Sequence, residues 1–301
     1  MNTVRVQVPA TSANCGPGFD CLGLALNLYN IFSFTPDVKA TEYTYTFEGF
    51  GADILRAEDP KKNLIGFAMD QVFATVQEPI QYGHITSETL IPPSRGLGSS
   101  STAIVGGLLL ANALVKHPLS KEELLVIANR MEGHPDNVAP AIYGNLTISS
   151  YVNGEVSTVV TKFPEVSLIA YIPNYELRTK DSRGVLPKEL SYQEAVAASS
   201  IANVAIAALM KGDMVVAGQA IESDRFHEHF RQGLIKEFPK IKMMAKENGA
   251  YATYLSGAGP TVMILVPKER SNTLKEKIEE QQFKGQVFEL QVDCKGVRVE
   301  K

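Results

Sequence analysis

Apolar and polar residues alternate in two segments of the N-terminal part of the chain, Val4 to Val8 and Tyr43 to Phe47. Alternation with a period of two is typical of half-buried β-strands. Two further runs, 31–34 and 82–90, carry the same signal. The pattern therefore predicts several strands in this part of the chain.

The spacing changes to that of a helix after Asn63, because the apolar residues of 65–76 recur every three or four positions. Asn63 is a good N-terminal cap for that helix. The segment 99–115 predicts a helix that is apolar nearly all round, and such a helix is normally buried. Ser120 and Glu123 have the spacing of a capping box that opens a further helix.

Beyond residue 145, short strands alternate with helices, which favours an α+β or α/β arrangement. Strands are expected at 146–151, 156–161, 167–172, 251–255, 261–266 and 286–292. Helices are expected at 195–210, 214–221, 234–247 and 272–281, the first opened by a capping box of Ser191 and Glu194 and the third ended by Gly249. We expect a boundary near residue 155, giving lobes of 1–155 and 156–301.

The composition narrows the class of protein. A chain of 301 residues is longer than one typical domain, so two domains or one two-lobed unit are expected. Hydrophobic residues make up 45% and charged residues 21%, which is ordinary for a globular protein. The net charge of −4 argues against a nucleic-acid partner, which would require a basic patch.

The cysteines and the apolar runs bear on where the protein works. Cys15, Cys21 and Cys294 cannot all pair and lack the spacing of metal ligands, which suits a reducing compartment. The N-terminal residues lack the layout of a signal peptide. The longest apolar run, 103–115, is too short to span a bilayer. We therefore expect a soluble, cytoplasmic protein without a membrane partner.

A small polar loop at residues 92–102, here called the serine loop, lies at the start of the most apolar helix. The stretch from Pro92 to Ile104 has the sequence PPSRGLGSSSTAI. Gly96 and Gly98 allow the backbone to approach an anion closely, and the following hydroxyl side chains lie where the helix begins, at a favourable site for phosphate. A glycine turn with ordinary serine capping is an equally good interpretation of these residues alone. The loop differs from the GxxxxGK[ST] phosphate loop and from the GxGxxG dinucleotide fingerprint.

Three other stretches stand out along the chain. They are PATSANCGPGFDCLGLAL at 9–26, MEGHPDNVAPAIYG at 131–144 and YLSGAGPTVMIL at 254–265. Together with the serine loop, in this order, they resemble the motifs of the GHMP kinases, a family of small-molecule kinases. Within that family, the first two stretches resemble the branch that phosphorylates homoserine. The resemblance favours phosphate binding by the serine loop.

The resemblance implies an α+β fold with two lobes. The N-terminal lobe would be like the second domain of ribosomal protein S5, with a left-handed crossover, and the C-terminal lobe would be ferredoxin-like. It also implies ATP and Mg²⁺ as cofactors, L-homoserine as the substrate and a homodimer. ATP would lie on the serine loop, and homoserine would bind between the lobes.

Site residues follow from the same resemblance. ATP would contact Asn63 and the loop residues Pro92, Pro93, Ser94, Arg95, Gly96, Leu97, Gly98, Ser99, Ser100, Ser101 and Thr102. The substrate would contact Asn14, Asp20, His134, Thr179, Arg183, Arg231 and Gly257, with Asn14 and Asp20 at the ammonium and the arginines at the carboxylate. Each has a simpler alternative, because Asn and Asp are habitual turn residues and single arginines usually face solvent. Capping remains the simpler interpretation of Asn63.

The catalytic group would comprise Glu132, Asp136 and Asn137. Glu132, with a hydroxyl of Ser99 or Ser100, would bind Mg²⁺, a hard cation that prefers oxygen ligands. Asn137 would face the transferring phosphoryl group, but an amide cannot be the base that an aspartate provides in the mevalonate and galactose branches of the family. Asp136 is a candidate base, although Asp and Asn would also cap the helix that begins there.

Two other functions compete with this hypothesis. Another kinase of the same family would act on mevalonate or a sugar, and EGHPDN and the two arginines argue against it. A catalytically silent regulatory or RNA-binding protein could share the fold. A silent relative would be expected to lack Glu132 or the loop glycines, and an RNA-binding protein would be expected to be basic.

Overall fold

The computed structural model describes residues 3–57 and 59–300. Its strands are β1 (Val4–Ala13), β2 (Leu22–Pro36), β3 (Thr44–Gly49), β4 (Gly83–Thr89), β5 (Leu146–Val152), β6 (Glu155–Thr161), β7 (Ser167–Pro173), β8 (Ala252–Leu255), β9 (Val262–Val266), β10 (Gly285–Leu290) and β11 (Arg298–Glu300). Its helices are α1 (Ala52–Ala57), α2 (Leu64–Val76), α3 (Ser99–Asn112), α4 (Lys121–Glu132), α5 (Pro135–Tyr143), α6 (Thr179–Gly184), α7 (Tyr192–Lys211), α8 (Met214–Ile221), α9 (Glu228–Arg231), α10 (Phe238–Glu247) and α11 (Ser271–Glu279).

The N-terminal lobe is built on a seven-stranded sheet. Five strands follow the order β11-β1-β2-β4-β3, while β5 pairs with β2 and β6 pairs with β5. Neighbours are antiparallel except β3 and β4, which are parallel and joined through α1 and α2. Helices α2 to α5 cover one face of this sheet and form its core with β1 and β2.

Helix α3 is the centre of that core, and its predicted burial is confirmed. Ile104, Val105 and Leu108 are almost fully buried. A Cβ on Gly106 would lie 2.3 Å from the ring of Phe32, and one on Gly107 would lie 2.4 Å from a backbone oxygen of α2, so the helix packs closely on β2 and α2. This packing fixes the position of the N-terminus of α3, into which the serine loop leads.

The C-terminal lobe has a four-stranded antiparallel sheet in the order β10-β7-β9-β8. Along the chain its elements follow the sequence strand, helices, strand, strand, helix, strand, which is the βαββαβ pattern of ferredoxin-like folds. The expected ferredoxin-like lobe is therefore confirmed.

The two lobes are connected by more than one passage of the chain. The hairpin of β5 and β6 belongs to the N-terminal sheet and spans residue 155, and β11 returns to pair with β1. The division of the chain near residue 155 stays a prediction.

Several local expectations need correction. Ser191 caps α7, but the predicted reciprocal bond from Glu194 is wrong, because that carboxylate pairs with Arg225 at 3.0 Å. The helix predicted from residue 234 begins at Phe238, after a short 3-10 turn over 232–234. By contrast, the capping box of Ser120 and Glu123 is confirmed.

Helix α7 is notable for its apolar composition. Its 20 residues reach a mean hydropathy of 1.3 over an 18-residue window, of which 22% is buried, so by length and composition alone it could cross a bilayer. Ala205, Ala208 and Leu209 on this helix pack into the core beneath the C-terminal sheet. Core helices of globular domains pass the same test, so the observation is weak evidence for a membrane span.

Candidate active site

The serine loop connects β4 to α3 and lies between the two lobes. Gly96 and Gly98 have φ angles of 75° and 70°, in the left-handed region that glycine adopts without strain. A Cβ on Gly98 would lie 2.0 Å from Oγ1 of Thr11, and one on Gly96 would lie 2.3 Å from the carbonyl oxygen of Ser256. Both glycines are therefore required by close packing, whether or not a ligand is bound.

The loop is fastened to the C-terminal lobe by the segment SGAGPT, residues 256–261. Ser256 Oγ donates to the carbonyl of Gly96 at 2.6 Å, and Thr261 Oγ1 donates to the carbonyl of Arg95 at 2.5 Å. The Arg95 guanidinium donates to the carbonyls of Pro173 and Asn174, at the end of β7. Arg95 lines the cavity, but these bonds commit its side chain to joining the lobes.

A larger cavity of about 450 Å³ lies on the N-terminal side of the loop. Its walls are largely apolar, and its polar lining includes Asn63, Ser94, Ser99 and Ser100. The Asn63 side chain caps α2 by accepting from the backbone N–H of Ile65 at 3.0 Å. The capping interpretation is thus confirmed, and the same residue also faces the cavity. The apolar residues that the sequence analysis did not identify here include Phe47, Phe50, Ile54 and Leu55.

A smaller cavity of about 160 Å³ lies on the other side of the loop, and most of the predicted residues line it. From the loop and α3 come Ser94, Arg95, Gly96, Leu97, Gly98, Ser99, Ser100 and Ser101, and from elsewhere Asn14, Asp20, Glu132, His134, Asp136, Asn137, Thr179, Arg183, Arg231 and Gly257. Ser94, Ser99 and Ser100 line both cavities, so the two meet at the start of α3.

Three loop residues do not reach the smaller cavity. Pro93 lines the larger one, and Pro92 lines neither. Thr102 is fully buried, and its hydroxyl donates to the carbonyl of Ser99 and accepts from Asn30. The Thr102 hydroxyl therefore stabilises the first turn of α3.

Glu132 stands at the C-terminus of α4, where Gly133 ends the helix with a φ of 94°. Its Oε1 accepts from Ser101 Oγ at 3.0 Å, and Ser99 and Ser100, the expected further ligands of Mg²⁺, line the same cavity. Burial raises the pKa of this carboxyl, although His134 and the Ser101 hydrogen bond oppose the shift. No ion pair between described residues involves Glu132. Its environment therefore favours a cation.

The beginning of α5 forms a connected polar chain. Thr11 Oγ1 donates to Asn137 Oδ1 at 2.7 Å, which fixes the amide so that its Nδ2 donates to Asp136 Oδ1 at 3.3 Å. His134 Nδ1 lies 2.6 Å from the same oxygen. Burial lowers the pKa of His134, but the hydrogen bond and charge of Asp136, with Asp20 and Glu132, outweigh this and leave it raised.

Asn14 organises the turn between β1 and β2. It adopts a φ of 70°, donates from Nδ2 to the carbonyl of Gly257 at 2.9 Å and accepts from the backbone N–H of Asp20 at 3.0 Å. The turn chemistry that was the simpler alternative is therefore present. The same bonds carry Asp20 into the cavity, where ligand atoms of Asp20, His134 and Asp136 lie within 4.8 Å of one another.

Arg183 projects from α6 across the cavity to Asp20. Its two terminal nitrogens donate to the two carboxylate oxygens at 2.7 and 3.2 Å. Both side chains are about one-third exposed, at 38% and 34%. The family resemblance implies that these two residues bind opposite ends of the substrate, and in this structure they pair with each other.

Arg231 is a deeply buried charge of the site, with 2% of its surface exposed. It donates to the carbonyls of Ser182 and Gly257 at 3.2 and 3.1 Å. No ion pair between described residues involves it. Burial and the nearby Arg183 lower its pKa to about 10, so it is still charged at neutral pH. A buried guanidinium with only neutral partners favours an anion.

Phe19 is a lining residue that the sequence analysis did not identify. Its ring lies beneath both arginines, with the guanidinium carbons of Arg183 and Arg231 at 5.4 and 5.2 Å from its centroid. Cation–π contacts of this kind help to orient the two charges. Its position directly before Asp20 in the turn was the only signal available from the sequence.

Comparison with known proteins agrees with this geometry. The family model for the GHMP kinase N-terminal domain matches residues 63–145, and that for the C-terminal domain matches residues 205–285. Homoserine kinase of Streptococcus sanguinis is 53% identical over 298 residues, covering 99% of this chain and all of the relative. The chain belongs to the GHMP kinase family. The enzyme is accordingly a kinase, and the two-lobed α+β fold expected from its motifs is confirmed.

Further similarities are consistent with that membership. Homoserine kinase of Streptococcus pneumoniae (strain Hungary19A-6) is 53% identical, covering 99% of both chains. The crystal structure of homoserine kinase from Cytophaga hutchinsonii superimposes with a TM-score of 0.89 at 27% identity, covering 100% of this chain and 98% of that one. The mevalonate kinase of L. major gives a TM-score of 0.73 at 16% identity over 96% of this chain and 95% of that one, which shows the shared fold alone.

Proposed function

We propose that this kinase transfers the γ-phosphoryl group of ATP to the side-chain hydroxyl of L-homoserine, giving O-phospho-L-homoserine and ADP in threonine biosynthesis. The observation that carries the proposal is a single cavity in which the serine loop, the acidic Asp20 and the uncompensated Arg231 all meet. A zwitterionic amino acid with a free hydroxyl matches all three. The 53% identity to proteins named homoserine kinase supports the same substrate.

The amino acid would bind across the smaller cavity. Its ammonium group meets Asp20 near Asn14 and His134, and its carboxylate meets Arg231 and Arg183, with Thr179 beside them. Because Asp20 and Arg183 are paired with each other, binding exchanges that pair for contacts with the two ends of the zwitterion. The exchange leaves Asp20 and Arg183 each paired with an opposite charge, and it gives Arg231 an anionic partner as well.

The nucleotide would occupy the larger cavity and the loop. The base lies among the apolar side chains near Asn63, and the phosphates lie along the backbone from Ser94 to Ser101. The free N–H groups and partial positive charge at the start of α3 favour phosphate at that point. The hydroxyl of the amino acid then faces the terminal phosphate where the two cavities meet.

Phosphoryl transfer depends mainly on alignment of the two reactants and on stabilisation of charge. The amide of Asn137, held by Thr11 and Asp136, faces the transferring group. Asp136 already accepts from two neighbours, so positioning accounts for its place better than proton abstraction does. The hydroxyl proton passes to phosphate or solvent as the new P–O bond forms and the bond to ADP breaks.

Mg²⁺ fits the chemistry of the residues at the C-terminus of α4. Glu132 offers a half-buried carboxylate that forms no ion pair among the described residues, and Ser99 and Ser100 offer hydroxyls that line the same cavity. Hard oxygen donors of this kind suit Mg²⁺, which retains several waters. An ion held there together with ATP would neutralise charge on the phosphates.

We also propose a cytoplasmic homodimer without nucleic-acid or membrane partners. The net charge of −4 and the absence of disulfides among the described cysteines are in keeping with this environment. Sedimentation of the purified chain at several concentrations would measure its oligomeric state, and a monomer throughout would contradict the dimer.

The direct test of the function is a coupled ADP-release assay with Mg-ATP and four acceptors: homoserine, mevalonate, galactose and shikimate. We expect homoserine to give the highest kcat/KM. Faster turnover of mevalonate or a sugar would overturn the substrate assignment. No turnover of any acceptor by a folded sample that binds ATP would favour a catalytically silent relative.

A further inference from the structure

Next to the Arg231 guanidinium lies a fully buried imidazole, that of His227. Its Nε2 lies 2.9 Å from the carbonyl oxygen of Gly16, and its Nδ1 lies 3.2 Å from Nη1 of Arg231. A carbonyl can only accept a hydrogen bond, and a guanidinium can only donate one. The hydrogen must therefore be on Nε2, and Nδ1 must present its lone pair to the arginine.

The surroundings keep this imidazole neutral. Burial lowers the pKa of His227, Asp224 opposes the shift and Arg231 adds to it. The Asp224 carboxylate accepts from the backbone N–H groups of Phe226, His227 and Glu228, so it stabilises the turn that leads into α9. An imidazolium would have to point an N–H at the guanidinium, which the geometry does not allow.

All hydrogen-bond partners of the Arg231 side chain are neutral acceptors, while Asp20, Asp136 and Asp224 act on its charge without a direct ion pair. The acceptors are the carbonyls of Ser182 and Gly257 and Nδ1 of His227, and the ring of Phe19 lies against both the guanidinium and the imidazole. A carboxylate in any of these places would cancel the arginine's charge. Neutral acceptors orient the guanidinium and leave its charge available to a ligand.

We propose that His227 is a positioning residue, which in its Nε2–H tautomer holds Arg231 by a neutral hydrogen bond so that the guanidinium keeps its full charge for the carboxylate of the substrate. The imidazole itself does not touch the substrate. The inference rests on the proposed function for the identity of the carboxylate. It adds a residue that sets affinity at one end of the amino acid without contacting the nucleotide.

Two substitutions distinguish the roles of the two ring nitrogens of His227. The shorter amide introduced by His227→Asn can place its Oδ1 where Nδ1 lies and so keep an acceptor for Arg231, while it loses the bond to Gly16. The longer amide introduced by His227→Gln can place its N–H toward Gly16, while it loses that acceptor. His229→Gln, at an exposed position two residues further along the chain, is the matched control.

We expect His227→Gln to raise KM for homoserine about tenfold to a hundredfold, since one hydrogen bond to a charged group is lost. KM for ATP should be unchanged, and His227→Asn should stay within a few-fold of wild type for homoserine. Equal effects of the two substitutions, or an unchanged KM for homoserine in His227→Gln, would overturn the proposal.

A spectroscopic measurement decides the tautomer without any substrate. In ¹⁵N-histidine-labelled protein at neutral pH, the signal that disappears in His227→Gln should show a protonated Nε2 and an unprotonated Nδ1. A protonated Nδ1 would overturn the proposal even if the kinetics agreed. If wild-type protein does not phosphorylate homoserine, the proposed function fails instead, and the tautomer still tests the contact with Arg231.

Discussion

Replacement of Arg231 by methionine is the sharpest test of how the substrate is held. Arg231→Met keeps much of the length and apolar surface of the side chain but removes the charge. Arg231 is 2% exposed and forms no ion pair among the described residues, so a bound carboxylate would be its direct ionic partner. Loss of one partner of a desolvated charge pair costs about 2–5 kcal/mol.

That energy corresponds to a fall in kcat/KM for homoserine of about thirtyfold to several thousandfold. KM for ATP should change little, because the nucleotide cavity does not include Arg231. The assay is coupled ADP release, with each substrate varied in turn at saturation of the other. Arg225→Met is the matched control, since Arg225 is a half-exposed arginine that pairs with Glu194 at 3.0 Å.

Stability must be measured beside the kinetics. The methionine removes the Arg231 donor from the carbonyl of Ser182, at a cost of about 1–3 kcal/mol if that group stays unsatisfied, whereas the carbonyl of Gly257 still accepts from Asn14. A lower melting temperature with normal circular dichroism at the assay temperature is therefore expected. Unchanged homoserine kinetics in folded Arg231→Met would refute the role of Arg231, and an equal rise in both KM values would point to a general distortion.

Three other substitutions test separate parts of the molecule. Glu132→Gln removes the charge available to Mg²⁺, so kcat should fall by about two orders of magnitude or more; near-normal turnover at low Mg²⁺ would contradict the assignment. Gly98→Ala places a Cβ 2.0 Å from Thr11 Oγ1 and should lower the unfolding free energy in urea by at least about 1–2 kcal/mol, whereas Gly233→Ala, with open space around it, should not. Burial raises the pKa of Glu228 from 4.5 to about 7, so its protonated form stabilises the fold below about pH 4.5 and this contribution is lost as the pH rises through about 7. As the pH rises over that interval, the free energy of unfolding of Glu228→Gln should therefore increase by up to about 3 kcal/mol relative to that of wild type. If the two free energies of unfolding changed with pH in parallel, the raised pKa of Glu228 would be contradicted.

Features that depend on neighbours along the chain could be predicted from the sequence. The capping box of Ser120 and Glu123 involves residues three positions apart, and both bonds are present. Helix α3 is buried because no face of it is polar. The same reasoning failed for Glu194, because Arg225 comes from a distant part of the chain and binds its carboxylate.

The order of the motifs predicted which segments would meet, but not which atoms would pair. The contact of Arg95 with ATP stays a prediction, and no sequence pattern indicates that its guanidinium also joins the loop to the end of β7, a strand of the other lobe. Ser101 donates to Glu132, and the sequence does not indicate which of the successive hydroxyls does so, because the choice depends on the rotation of α3 against α4. Such pairings depend on tertiary packing, which leaves no periodic signal in a sequence.

The two arginines of the site differ in a way that explains why both are present. Arg183 is one-third exposed and already paired with Asp20, so its contribution to binding is the difference between two ion pairs and is small in energy. Arg231 is buried and has only neutral partners, so a carboxylate adds an interaction that the free enzyme lacks. In the proposed complex Arg231 would supply affinity, while the exchange of the Asp20–Arg183 pair would select for a ligand that carries an ammonium group beside its carboxylate. A carboxylic acid without the ammonium, such as mevalonate, would pair with Arg231 but would leave Asp20 bonded to Arg183, so we expect the site to discriminate against it.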